Sequence, residues 1–304
     1  MRAALLLLMF ACMAASAAEP LRVGSKRFTE SYILGEILAK ATGGEHKPGL
    51  GNTGIVFAAL KAGSIDLYPE YTGTIAKEIL KLEGSPDIEE INRALAPQGF
   101  GVAVRLGFNN SYALAMREER AQALGIRALS DLAKHPALKL GLSPEFIGRG
   151  DGWPGLKAAY RLPFATPSGL DHGLAYEAVA AGKIEVMDIY STDAKIERYQ
   201  LRVLEDDQRY FPKYDAVLLY RLDVPQRFPE AWRALEKLAG RIDERNMIRM
   251  NAAAELQGRS FAEAAALLDA GAGPQRVVQR SLLGTLLGPD FWRLTGEHLL
   301  LVFV

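Results

Sequence analysis

One stretch of this chain occurs twice. AGSIDLYPEYTGT, residues 62–74, aligns with AGKIEVMDIYSTD, residues 181–193. The alignment matches Ala62-Gly63 to Ala181-Gly182, Ile65 to Ile184, Asp66 to Glu185 and Tyr71 to Tyr190. Upstream, LRVGS at Leu21 has a counterpart in LKLGLS at Leu138, at nearly the same distance from the matched tyrosine. Two copies of one supersecondary plan point to two similar lobes, each burying its own apolar face. Chance similarity is the competing explanation, because Ala-Gly helix ends are common.

Strand-like and helix-like segments alternate from Leu21 onward, which predicts an α/β protein with largely parallel sheets. Leu21 to Gly24 reads as a strand, and Thr29 as the cap of a helix with Ile33, Leu34, Ile37, Leu38 and Ala41 on one face. A second helix runs from Thr53 to Ala62 and stops at Gly63; Ile65 to Leu67 follows as a short strand that opens into a loop carrying Tyr71. Open α/β sheets bind ligands beyond the C-terminal ends of their strands, so the loops with Tyr71 and Tyr190 should flank a shared cleft. The expected division is 19–107 with 215–270 as the first lobe and 108–214 as the second. The chain should cross near Arg105 to Asn110 and return as a strand at Ala216 to Tyr220, a crossing pair suited to act as a hinge.

The 304 residues carry 36 Lys plus Arg against 36 Asp plus Glu, a balance that offers no charge to recruit nucleic acid. At the start, Arg2, the apolar run Ala3 to Met13 and the small residues Ala15 to Ala18 read as a secretory signal peptide, residues 1–18, cleaved next to Ala18. The apolar run is too short to span a bilayer. Cys12, the single cysteine, lies inside it, and Met9-Phe10-Ala11 is a poor match to a lipid-attachment motif. The mature chain therefore has no disulfide and no thiol nucleophile, and His46, His135, His172 and His298 show no metal-ligand spacing. No cofactor, metal site, nucleophile elbow or phosphate-binding loop is expected. Asp66 and Glu70 are read as structural rather than as a catalytic pair.

Four motifs in order, VGSKRFTE (23–30), IDLYPEYTGT (65–74), YSTDAKI (190–196) and EDDQRYFPKYDAV (205–217), resemble the glycine betaine/choline/carnitine-binding proteins of osmoprotectant ABC importers. The similarity covers almost all of residues 21–270. It implies a two-lobed venus-flytrap fold (type II periplasmic binding protein), a periplasmic location, no enzymatic activity, and a permease partner in the inner membrane. It also implies an aromatic cage of Tyr71, Tyr112, Tyr190 and Tyr214 for a small quaternary-ammonium ligand. Lys26, Thr74 and Arg149 would hold the ligand's carboxylate.

The chemistry suits those residues. A trimethylammonium group has no N–H to donate, and aromatic faces offer it negative quadrupole and apolar surface together. Arg149 presents a bidentate fork and Lys26 a point charge. Read from the residues alone, the competing assignment is Arg149 paired with Asp151 in a surface turn and Lys26 in solvent. Tyr32, Tyr160, Tyr199 and Tyr220 are assigned to packing. Carnitine, proline betaine or ergothioneine is the alternative ligand; an enzyme on the same scaffold and a purely sensory domain are the remaining rivals. After Gly271 to Pro274, residues 271–304 read as a linker and an apolar tail, EHLLLVFV. The tail resembles the opening of a permease helix, as in a receptor–permease fusion, or else forms a helix packed on the first lobe.

Overall fold

The computed structural model describes residues 19–270; the signal-peptide and tail expectations fall outside the described residues. Among the described residues nine strands form two sheets. The first contains β1 (Arg22–Gly24), β2 (Glu45–Lys47), β3 (Leu67–Tyr71), β4 (Phe100–Ala103) and β9 (Ala216–Arg221), in the order β2-β1-β3-β9-β4. The second contains β5 (Tyr112–Arg117), β6 (Leu140–Gly141), β7 (Val186–Tyr190) and β8 (Leu201–Val203), in the order β6-β7-β5-β8.

The repeat is visible in this topology. In each sheet a short strand, β1 or β6, lies parallel to a five-residue strand, β3 or β7. That strand is followed across the sheet by an antiparallel partner, β9 or β5, and then an antiparallel edge, β4 or β8. Local details match as well. Asn52 and Asp171 cap the two preceding helices, Thr53–Lys61 and His172–Ala180. Gly63 and Gly182 end those helices with φ of 71° and 67°, the left-handed region that glycine enters without a Cβ penalty. Asp66 accepts the backbone N–H of Arg22, and Glu185 that of Lys139.

Three expectations need correction. The sheets are mixed rather than largely parallel, because β5 and β9 each enter a sheet from the other half of the chain and run against both neighbours. The strand after Gly63 spans Leu67–Tyr71, so Tyr71 and Tyr190 are the last residues of β3 and β7 rather than loop residues. All five residues of β3 are buried, which removes the alternation that marks a half-exposed strand. Thr29 is the first residue of the helix Thr29–Thr42 rather than its cap; Phe28 precedes it and makes no side-chain cap.

The two crossing segments lie side by side. Leu106 N donates to Ala216 O, Ala216 N to Phe108 O and Asn110 N to Tyr214 O, at 2.9–3.0 Å. This ribbon brings Asn110, Tyr112 and Tyr214 against the end of β3. Gly73 makes that approach possible: a Cβ there would stand 2.6 Å from the Tyr214 ring.

Candidate functional site

The seven residues singled out in the sequence surround one space. Lys26, Tyr71, Thr74, Tyr112, Arg149, Tyr190 and Tyr214 line it together with Phe28, Asn110 and Glu145. Backbone register explains the convergence. Tyr112 opens β5 and pairs directly with Tyr190, which closes β7. Tyr71 closes β3 opposite Ala216, two residues after Tyr214. The rings of Tyr112 and Tyr190 are 5.1 Å apart, Tyr214 meets Tyr112 edge-on at 5.8 Å, and Phe28 stacks on Tyr190 at 5.7 Å. The volume left between them is about 20 Å³, room for about one water molecule. A hollow of about 430 Å³ between Arg117, Lys139 and Ile184 is larger but lies at the opposite end of the second sheet.

Carboxylates hold the rings from behind. Tyr71 Oη donates to Glu30 Oε1 at 2.6 Å, and Tyr214 Oη to Asp151 Oδ2 at 2.7 Å. Burial pushes the hydroxyl pKa of all four tyrosines up, so the rings stay neutral. Neutral rings present the negative quadrupole faces that attract a cation, and the protein's own cations already use some of them. Lys26 Nζ lies 5.1 Å from the Tyr71 ring and 5.4 Å from Phe28; the Arg149 guanidinium lies 5.2 Å from Tyr112.

Both cations are buried and internally paired. Lys26 Nζ sits 2.6 Å from Glu70 Oε1, so Lys26 is not solvated. Arg149 forks onto Asp151 through Nε at 2.8 Å and Nη2 at 2.6 Å. The Arg149–Asp151 pair therefore exists, but inside the site rather than in a surface turn. Nη2 also reaches Thr74 Oγ1 at 3.4 Å, linking the segment after β3 to the second sheet's side of the site. A carboxylate arriving here meets two cations that share their charge with Glu70 and Asp151.

Sequence reasoning missed the residue that ties the site together. Glu30 is buried and accepts four hydrogen bonds: Tyr71 Oη and Asn110 Nδ2 on Oε1, Thr192 Oγ1 and Asn251 Nδ2 on Oε2. Burial raises its pKa, and these four donors pull the other way. The available signal was an acidic residue inside the SKRFTE motif, one turn from Lys26. Phe28 and Asn110 were missed as well, although Phe28 stands inside a quoted motif and Asn110 ends the expected crossing segment. The four tyrosines assigned to packing do pack elsewhere: Tyr32 on Phe261 at 4.6 Å, Tyr220 on Trp232 at 4.5 Å, Tyr199 on Tyr176 at 5.5 Å, and Tyr160 onto Asp206. Among the described residues no group of three or more His, Cys, Asp or Glu is arranged to hold a metal, and no helix is long and apolar enough to cross a membrane.

Mixed sheets in two similar halves with an aromatic site between them define a solute receptor. The chain belongs to the family described as the substrate binding domain of an ABC-type glycine betaine transport system, which matches residues 19–267. It is 37% identical over 252 residues to the ergothioneine transport permease/ergothioneine binding protein EgtU of Helicobacter pylori, covering 80% of this chain and 46% of that protein. This chain thus spans less than half the length of that relative. It is 33% identical to a glycine-betaine-binding protein of Pseudomonas aeruginosa, covering 82% of this chain and 86% of the other. A crystal structure of a glycine betaine/carnitine/choline ABC transporter protein superposes with a TM-score of 0.65 at 30% identity, over 81% of this chain and 96% of the other. The family is one of substrate-binding components of importers, not of enzymes.

Proposed function

We propose that this protein captures a small quaternary-ammonium solute such as glycine betaine or choline in the periplasm and delivers it to the permease of an ABC importer. The observation that carries the reading is the convergence of Tyr71, Tyr112, Tyr190 and Tyr214 on one buried space lined from both sheets. Each desolvated ring contact with a trimethylammonium contributes up to about 2 kcal/mol. Four contacts near that upper value sum to about −8 kcal/mol, the scale of micromolar affinity, from which ordering costs subtract. Lys26, Thr74 and Arg149 then receive the opposite end of a betaine, with Glu70 and Asp151 giving way in part.

The lobes, 19–107 with 215–270 and 108–214, close because the ligand touches both, a population shift toward the state with the larger contact. Carnitine or ergothioneine is the second reading, ergothioneine being favoured by the 37% identity to the Helicobacter relative. A fused permease after residue 270 is compatible with that relative's double name. The test is calorimetric titration of residues 19–270 with glycine betaine, choline, carnitine and ergothioneine, repeated with Tyr190→Ala and Tyr190→Phe. The expected result is saturable binding weakened about tenfold or more by Ala and largely kept by Phe, since the ring face does the binding. Equal loss in both variants, or no heat from folded protein, refutes the cage.

A further inference from the structure

Several buried side-chain polar atoms have no hydrogen-bond partner among the described residues, and of these only Asn110 Oδ1 belongs to a residue lining the cage. Asn110 is 5% exposed and sits on the crossing ribbon. Its orientation is fixed from outside: Nδ2 donates to Glu30 Oε1 at 2.9 Å, an oxygen that also accepts from Tyr71 Oη, so Oδ1 is the end left over. The opposite rotamer would set the amide oxygen against the carboxylate and lose that bond.

Asn110 also borders a second space. A cavity of about 190 Å³ shares Phe28, Asn110 and Tyr190 with the cage and continues to His172, Thr192 and Asn251. Asn251 repeats the arrangement: Nδ2 is held by Glu30 Oε2 at 3.0 Å and by Thr192 O at 3.1 Å, and Oδ1 has no partner. One buried carboxylate thus takes the N–H₂ groups of two asparagines and leaves two amide oxygens as unfilled acceptors beside the cage. A buried acceptor without a donor is costly, and a site built around one rejects ligands that cannot supply the donor.

We propose that Asn110 is a specificity-determining residue that accepts a hydrogen bond from the ligand, so that the protein selects quaternary-ammonium compounds bearing an O–H or N–H over those with none. This rests on the cage reading and narrows it. Choline, carnitine and ergothioneine carry such a donor; glycine betaine and proline betaine do not. The neighbouring cavity accommodates the donor-bearing part of the ligand while its methylated nitrogen sits among the rings; a carboxylate, where the ligand has one, turns to Lys26, Thr74 and Arg149.

The experiment uses ligand pairs in which one member lacks the donor: choline against its O-methyl ether, where a methyl replaces the hydroxyl hydrogen, and carnitine against the smaller γ-butyrobetaine, where hydrogen replaces the hydroxyl. Each is titrated calorimetrically into the wild-type protein and into Asn110→Leu, which keeps side-chain volume and removes the acceptor. The expected result is a preference of about tenfold or more for the donor-bearing member in the wild type, shrinking to within about twofold in the variant. Equal binding of both members of each pair to the wild type overturns this inference and leaves the cage standing. Binding of neither member overturns the cage reading along with it. The wild-type comparison decides the matter even if the variant does not fold.

Discussion

At the residue scale the site is a set of aromatic faces whose directions are set by carboxylates behind them. Tyr71 is held by Glu30, Tyr214 by Asp151, and Tyr190 packs at 4.8 Å on His172. His172 is a further charged support. Burial disfavours its imidazolium, but Asp193 at 2.9 Å and Asp188 at 3.8 Å outweigh that effect and hold its pKa up at about 10. Tyr176 and the Tyr190 backbone N–H share Asp193. An unfolded histidine titrates near 6.5, so the imidazolium's contribution to stability is complete below about pH 6.5 and is lost as pH rises toward 10. The stability advantage of wild type over His172→Gln should therefore shrink across that window in urea melts at stepped pH. An advantage that stays constant or grows with pH contradicts the charged assignment.

At the scale of elements, equivalent residues in the two halves do unequal work. Asp66 is fully buried, accepts the N–H of Arg22, and is ion-paired with Arg22 and Arg227, binding the start of β1 to the helix Val224–Arg227. Glu185, at the matching position, is 21% exposed at its side chain and pairs with the half-exposed Arg120. Removing a buried acceptor strands its donors, whereas a solvated pair contributes little. Asp66→Ala should cost about 2–4 kcal/mol in denaturant unfolding, and Glu185→Ala less than about 1 kcal/mol. Equal costs would mean that burial does not set the difference. The repeat itself was legible because turn glycines, strand-end tyrosines and cap residues are local signals. The strand directions were not, because β5 and β9 take their places only after the chain crosses between halves. Lys26 with Glu70, and Glu30 with Thr192 and Asn251, were hidden because the partners stand 44, 162 and 221 residues apart in sequence and meet only in the folded chain.

At the scale of the whole molecule, positive and negative residues balance, 36 against 36. Long-range steering therefore contributes little, and discrimination for a cation has to arise among the rings themselves, where salt screens weakly. That places the central claim within reach of one comparison: calorimetric titration with choline and with 3,3-dimethyl-1-butanol, its neutral isostere with carbon in place of nitrogen, at low and at about 0.5 M salt. The two have the same shape, the same hydroxyl for Asn110 and nearly the same apolar area, and differ only in charge. The predicted result is that choline binds about tenfold or more tightly than the alcohol and keeps that margin at both salt concentrations. Equal affinity for the two, or a margin that vanishes with salt, would contradict recognition by a tyrosine cage.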